Sequence, residues 1–251
     1  LGDPAQIPDD LKDIAAKCKE VLLDTVAEAD EALMERYLGG EQLTEAEILR
    51  GLHDALKSGA LIPIFAGSVA KDIGVSEVMD GIINISQSPL ERTRVASDGT
   101  IVKPSEDGPA AAFVFKTVID PHVGQFAFFR VLTGKIKANS DILNLNNGTK
   151  ERLGHLIFLN GKTQIQIEEA CPGCICGVAK LRATKTGDTL GENNQCHVMS
   201  PMEFPAPGIS YAITAAKSGE EEKIMSGLQK LCECDPTLHI STNHETHESI
   251  F

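Results

Sequence analysis

The sequence predicts a chain of several domains: a mixed α/β segment, then an antiparallel β-barrel, then the start of an α+β unit. Three observations carry this. Up to about residue 83, apolar residues recur at helical spacing, broken by one almost wholly apolar run. From Ala110 the period changes to two. After a proline-rich connector the pattern reads strand, helix, strand, strand, the first part of a ferredoxin-like unit.

Residues 9–38 read as one long amphipathic helix, with Leu11, Ile14, Ala15, Cys18, Leu22, Thr25, Val26, Ala29 and Leu33 at three- and four-residue steps. Asp9 is placed to cap its first turn and Gly39-Gly40 to end it. A second helix is expected from Thr44 to Ser58. Thr44 and Glu47 have capping-box spacing, Leu49, Leu52 and Leu56 form the stripe, and Gly59 stops it. Leu61 to Phe65 suits a strand buried on both faces, as in a parallel sheet. Gly67-Ser68 then turns the chain into a third helix bearing Val75, Val78, Met79, Ile82 and Ile83. One parallel strand makes no sheet, so the rest of that sheet is expected before Leu1.

Ser88 to Gly108 is polar and reads as a linker. Strands are expected at 111–119, 126–133, 142–146, 152–159, 163–168 and 175–181. Gln164-Ile165-Gln166-Ile167-Glu168 alternates, which predicts one buried face. Asn147-Gly148 and Asn160-Gly161 are pairs that primed hairpin turns prefer. Short strands with turns every ten or so residues predict a closed barrel. Residues 200–208 form a stiff connector. Ile209–Ala215 is then a strand, Glu220–Cys234 a helix with Ile224, Leu228 and Leu231 inward, Leu238–Thr242 a second strand and Ser249–Phe251 the start of a third. Half a sheet leaves backbone edges open, so residues 209–251 are expected to be the least stable part.

Composition excludes several classes. With 36 acidic and 23 basic residues, the net charge of −13 opposes non-specific nucleic-acid binding, DNA included. Docking on a large ribonucleoprotein through a few local cations stays open. No run approaches the ~20 apolar residues of a membrane span, and no signal peptide opens the chain. Seven cysteines include Cys171, Cys174 and Cys176, yet no second Cys-x-x-Cys or His pair follows, so free thiols and no metal site are expected. His53, His122, His155 and His197 are scattered, and no catalytic residues are assigned. Leu1 is not a Met and Phe251 sits in a strand pattern, so both ends read as cut.

A series of motifs then identifies a relative. Residues 27–41 are followed by Leu61-Ile-Pro-Ile-Phe-Ala-Gly-Ser68 and Ser88-Pro-Leu90. Next come Asp120-Pro-His-Val-Gly-Gln-Phe126, Phe129-Arg-Val-Leu-Thr-Gly134, Thr186-Gly-Asp-Thr-Leu190 and Met202-Glu-Phe-Pro205. In this order they resemble bacterial elongation factor G, a translational GTPase, across nearly the whole chain.

The resemblance implies that residues 1–88 are the C-terminal part of a P-loop GTPase α/β domain. It implies that 105–200 are the translation-factor barrel and that 209–251 are a truncated third domain, with 89–104 and 201–208 as linkers. It also implies that Gly67, Ser68 and Val69 form the guanine-contact loop, where a backbone amide meets the base oxygen. Val69 stands where the family has alanine, and the backbone donor survives that change. Read on its own, Gly67-Ser68 is equally a plain strand-to-helix turn with Ser68 as a cap.

The phosphate loop, G-x-x-x-x-G-K-[ST], is missing: Leu156 stands five residues before Gly161-Lys162-Thr163, and Gly134-Lys135 runs into Ile136. GTP and magnesium are therefore expected in a longer parent and not on this piece alone, which is expected to be inactive. The ribosome is the implied partner. Lys135, Lys137, Lys150 and Arg152 are candidate contacts, or else ordinary solvated charge. Two other readings are a ribosomal protection or release-type GTPase fragment, and a stand-alone barrel module holding a metal at its cysteines.

Overall fold

The structure, a computed structural model, describes residues 7–28, 30–120, 124–215, 217, 219–243, 245 and 248–251. It divides into two compact units, Leu1–Ser88 and Pro89–Phe251. Ala29 and His122, both weighed above, lie outside the described residues.

The first unit contains α1 (Lys12–Ala27), α2 (Glu31–Leu38), α3 (Glu45–Ser58) and α4 (Val75–Ile85). The single helix expected over 9–38 is broken. The Asp30 carboxylate accepts from the Ala32 N–H at 2.8 Å and the Leu33 N–H at 3.4 Å, so a new helix starts there. Asp9 is not a cap. Pro8 holds the cap position of a short 3-10 turn, and Asp9 pairs with Lys12 at 2.5 Å instead. Helix α3 forms as expected, with the full capping box from Thr44 and Glu47 and with Gly59 at φ 79°. Its buried side is Ile48, Gly51 and Ala55, one step from the predicted leucine stripe, whose members are half-buried. Gly51 admits α1: a Cβ there would stand 2.5 Å from Val26 Cγ1.

Leu61–Phe65 is not a strand. Ile62 and Ile64 are 83% and 91% exposed, because no described strand lies beside them to pair with. Helix α4 stands where expected, yet Met79, Ile82 and Ile83 remain exposed.

The second unit opens with a hairpin inside the expected linker, β1 (Arg94–Val95) against β2 (Ile101–Val102). Its turn is tied to the barrel, since the Ser97 N–H donates to the Val198 carbonyl at 2.8 Å. The barrel strands are β3 (Ala111–Asp120), β4 (Gly124–Thr133), β5 (Ile136–Lys137), β6 (Asp141–Asn144), β7 (Lys150–Arg152), β8 (Leu156–Asn160), β9 (Thr163–Ile167), β10 (Glu169–Ala170), β11 (Ile175–Ala179) and β12 (Thr189–Gly191). Eight form one antiparallel sheet in the order β7-β6-β12-β3-β4-β11-β8-β9. Its edges are bridged by β5. That strand pairs with β10, the Ala138 N–H bonds the Glu168 carbonyl at 2.8 Å, and the Asn139 N–H bonds the Gly154 carbonyl at 3.0 Å. Phe129, Leu153, Leu156, Val178 and Leu190 fill the interior, all at 0% exposure.

Three details differ from expectation. The strand at 152–159 is two strands, split where Leu153 turns into the core and its N–H bonds the Ser140 carbonyl at 2.8 Å. The β8–β9 turn is centred on Gly161-Lys162, since Asn160 and Thr163 are themselves a pair. Strand β9 does not bury one face: Ile165 is exposed, and only Ile167 packs on the core.

The last part holds β13 (Ala212–Ile213), α5 (Glu221–Cys234), β14 (Ser241–Thr242) and β15 (Ser249–Ile250), with strand order β13-β15-β14. The edge expected to be open at 209–215 is paired on one side, where Tyr211 and Phe251 exchange two backbone bonds of 2.9 Å. Leu231 is 51% exposed rather than inward, while Ile224, Met225, Leu228 and Cys232 are half-buried. Helix α5 meets the barrel through its end: the Thr117 hydroxyl donates to the Glu233 carbonyl at 2.8 Å. Among the described residues no helix is long and apolar enough to cross a membrane.

Candidate functional site

The predicted site residues Gly67, Ser68 and Val69 open a tight loop. The Ser68 N–H donates to the Ile73 carbonyl at 2.8 Å, and the Ile73 N–H returns to the Ser68 carbonyl at 3.1 Å. Two glycines make this closure possible. A Cβ on Gly67 would lie 2.8 Å from the Ile73 oxygen, and one on Gly74, at φ 76°, would lie 2.6 Å from the Ala66 oxygen. Ser68 stands at the cap position of a 3-10 turn, Val69–Lys71, but its side chain makes no capping bond. Helix α4 is entered separately, with Gly74 as its N-cap. Val69 is 88% exposed, and no described residue accepts from its N–H. The loop thus holds a free backbone donor on a pinned frame.

The candidate cations of the barrel are mostly matched by its own acids. Lys135 lies 3.1 Å from Glu106 and 3.9 Å from Glu169, which hold its ammonium above the ordinary lysine range, hydrogen bonding to Glu106 being the larger cause. Lys137 also faces Glu169 at 3.9 Å, and Arg152 pairs with Asp141 at 3.3 Å. Lys150 is exposed. The two phosphate-loop look-alikes serve as turns. Gly134, at φ 66°, packs where a Cβ would be 2.4 Å from Ala110 Cα, and Gly161-Lys162 makes the β8–β9 turn.

The cysteines do not converge. Cys174 closes a turn by donating its N–H to the Cys171 carbonyl at 3.0 Å, and Cys176 lies in the barrel core. Burial there pushes its thiol up to about 11. Among the described residues no cluster of three or more His, Cys, Asp or Glu side chains is placed to hold a metal ion. His197 Nδ1 lies 2.9 Å from Asp98, and His155 Nδ1 lies 2.7 Å from Gln166 Nε2, each on a different hairpin.

Sequence reasoning missed a cleft of about 570 Å³ between the β1–β2 hairpin and the barrel wall. Arg92, Arg94 and Arg130 line it, over Phe113, Phe115, Leu132, Ile175, Met199 and Met202. None of the three arginines has an ion-pair partner among the described residues. Arg94 is held below the ordinary arginine range, by burial first and then by the charges of Arg92 and Arg130. The signal was available in Arg92-Thr93-Arg94, but those residues fell in a stretch read as linker.

Among known proteins, the family model for elongation factor G domain 2 matches residues 109–193, and that for elongation factor G domain III matches residues 204–251. Elongation factor G of Thermotoga neapolitana is 36% identical, over 98% of this chain and 36% of its own length. The chain belongs to the elongation factor G family. Elongation factor G of Thermotoga petrophila agrees, at 35% identity over the same shares. A crystal structure from Thermus thermophilus superposes with a TM-score of 0.81 at 30% identity, over 97% of this chain and 35% of that one. The chain therefore spans about a third of the length of its curated relatives. Within this elongation factor G segment, residues 109–193 belong to the translation-factor barrel and residues 204–251 to the α+β unit.

Proposed function

We propose that this chain is a segment of a translational GTPase that promotes movement of the ribosome along its message. The observation that carries this reading is continuity. One relative, elongation factor G, is matched across 98% of the chain, through both compact units. In this reading residues 1–88 close the GTP-binding domain. Residues 105–200 dock on the ribosome, and 209–251 begin a domain that relays the nucleotide state. Residues 89–104 and 201–208 join these parts, and the longer protein works in the cytoplasm.

Gly67, Ser68 and Val69 then read guanine in the longer protein. The loop suits the task because the Val69 N–H has no acceptor among the described residues and its frame is fixed by the Ser68–Ile73 bonds. A donor held in advance loses little freedom when it meets a base oxygen. GTP and its magnesium would be gripped mainly by a phosphate loop, a motif not found in these residues.

The test is titration with a fluorescent guanine nucleotide. A longer chain that includes a phosphate loop is expected to bind with at most micromolar Kd, and Gly67→Val to weaken it by about tenfold or more. The 251-residue chain alone is expected to bind negligibly. Magnesium-dependent micromolar binding by the short chain would sink the reading, as would a longer chain that ignores guanine.

A further inference from the structure

We propose that the cleft between the β1–β2 hairpin and the barrel is a binding site for a nucleoside phosphate, with phosphate on Arg92, Arg94 and Arg130 and the base against Phe113 and Phe115. Three positive side chains share one cleft in a chain of net charge −13, and no described acid answers them. Like charges held together cost free energy unless an anion joins them. Guanidinium groups favour phosphate because their planar forks donate paired hydrogen bonds.

The remaining wall is mostly apolar. Phe113 and Phe115 of β3 both line the cleft and are half-buried, Phe115 from the bulge between Val114 and Lys116. Arg130 stands directly across from Phe113 on β4, which sets a cation beside a ring. Rings of this kind are what unpaired bases stack on. The volume, about 570 Å³, lies within the range of small-molecule sites. The cleft is built by β1, β3, β4 and β11 together with residues 199–202, so its shape depends on the hairpin staying tied to the barrel. That tie exists: Ala96 bridges to Met199, and the Ser97 hydroxyl donates to the Val198 carbonyl at 3.0 Å. The ligand is a free nucleotide or an unpaired nucleotide of an RNA strand, which share this chemistry. The inference does not rest on the guanine loop, whose residues belong to the other unit.

Calorimetric titration of the 251-residue chain tests it, with adenosine monophosphate as probe so that guanine recognition plays no part. Adenosine monophosphate is expected to bind, with adenosine and inorganic phosphate each about tenfold weaker or worse. Binding should weaken as salt rises. Arg92→Gln, at an exposed position, and Arg94→Gln should each weaken it by about tenfold, with unchanged melting. A short oligoadenylate that binds more tightly assigns the site to an RNA strand, and equal affinity assigns it to a free nucleotide. No binding at millimolar concentration overturns the proposal. So does inorganic phosphate binding as tightly as the nucleotide, or an arginine variant that folds and binds unchanged. Binding of a glutamate-rich peptide without binding of the nucleotide would overturn it by assigning the arginines to a protein.

Discussion

The barrel encloses Phe129, Leu153, Leu156 and Val178 at 0% exposure, while the helical unit leaves Ile62, Ile64, Met79, Ile82 and Ile83 open to solvent. Both regions are rich in aliphatic residues, so composition does not separate them. Partners do. Every barrel strand has a neighbour, and β5 bridges the two sheet edges. The run at 61–65 has the residues of a buried strand and nothing among the described residues to pair with. A strand is a property of a sheet before it is a property of a sequence.

This contrast predicts unequal responses to mutation. The largest is expected in the barrel. Phe129→Ala should cost about 3–5 kcal/mol in urea unfolding, because the cavity is walled by fixed strands. A loss under about 1 kcal/mol would mean that the barrel repacks freely. Next is Glu151→Ala. This buried carboxylate accepts from the Arg182 N–H at 2.6 Å, the Ala183 N–H at 3.2 Å and the Thr184 hydroxyl at 2.5 Å. Orphaning those donors should cost about 1–3 kcal/mol by the same measurement.

In the helical unit, Thr44→Ala should cost about 1 kcal/mol, read by loss of helical circular dichroism on heating. The same cap has a pH signature. Glu47 is held down to about 2, first by the Thr44 backbone N–H, then by the Thr44 hydroxyl and by Arg36. Its folded value lies below the ordinary 4.5, so its support for α3 is complete above pH 4.5. That support is lost as pH falls through about 2. Glu47→Gln should flatten this acid limb. The smallest effect is expected at Ile83→Ser, within about 0.5 kcal/mol in this chain, since the side chain is already exposed.

The barrel was legible because period-two alternation and turn residues report on a sheet whose strands are near in sequence. Strands β5, β10 and β12 were not, since two or three residues carry no period. The capping box of α3 was local and visible, whereas Gly67-Ser68, read as the turn itself, only opens a turn made by Val69–Lys71 and Asp72. The break at Asp30 lay inside a continuing apolar stripe, where periodicity outweighed a capping residue. The arginine cleft was hidden because its walls come from residues 92–95, 113, 115, 130, 132, 175, 199, 200 and 202, brought together only by folding.

Residue-resolved amide hydrogen exchange tests the comparison most directly. Slow exchange is expected in β3, β4 and β11, at the level of global unfolding, and fast exchange at 62–67, where no described acceptor holds the backbone. Protection at 62–67 equal to that of β4, in dilute monomer, would contradict it.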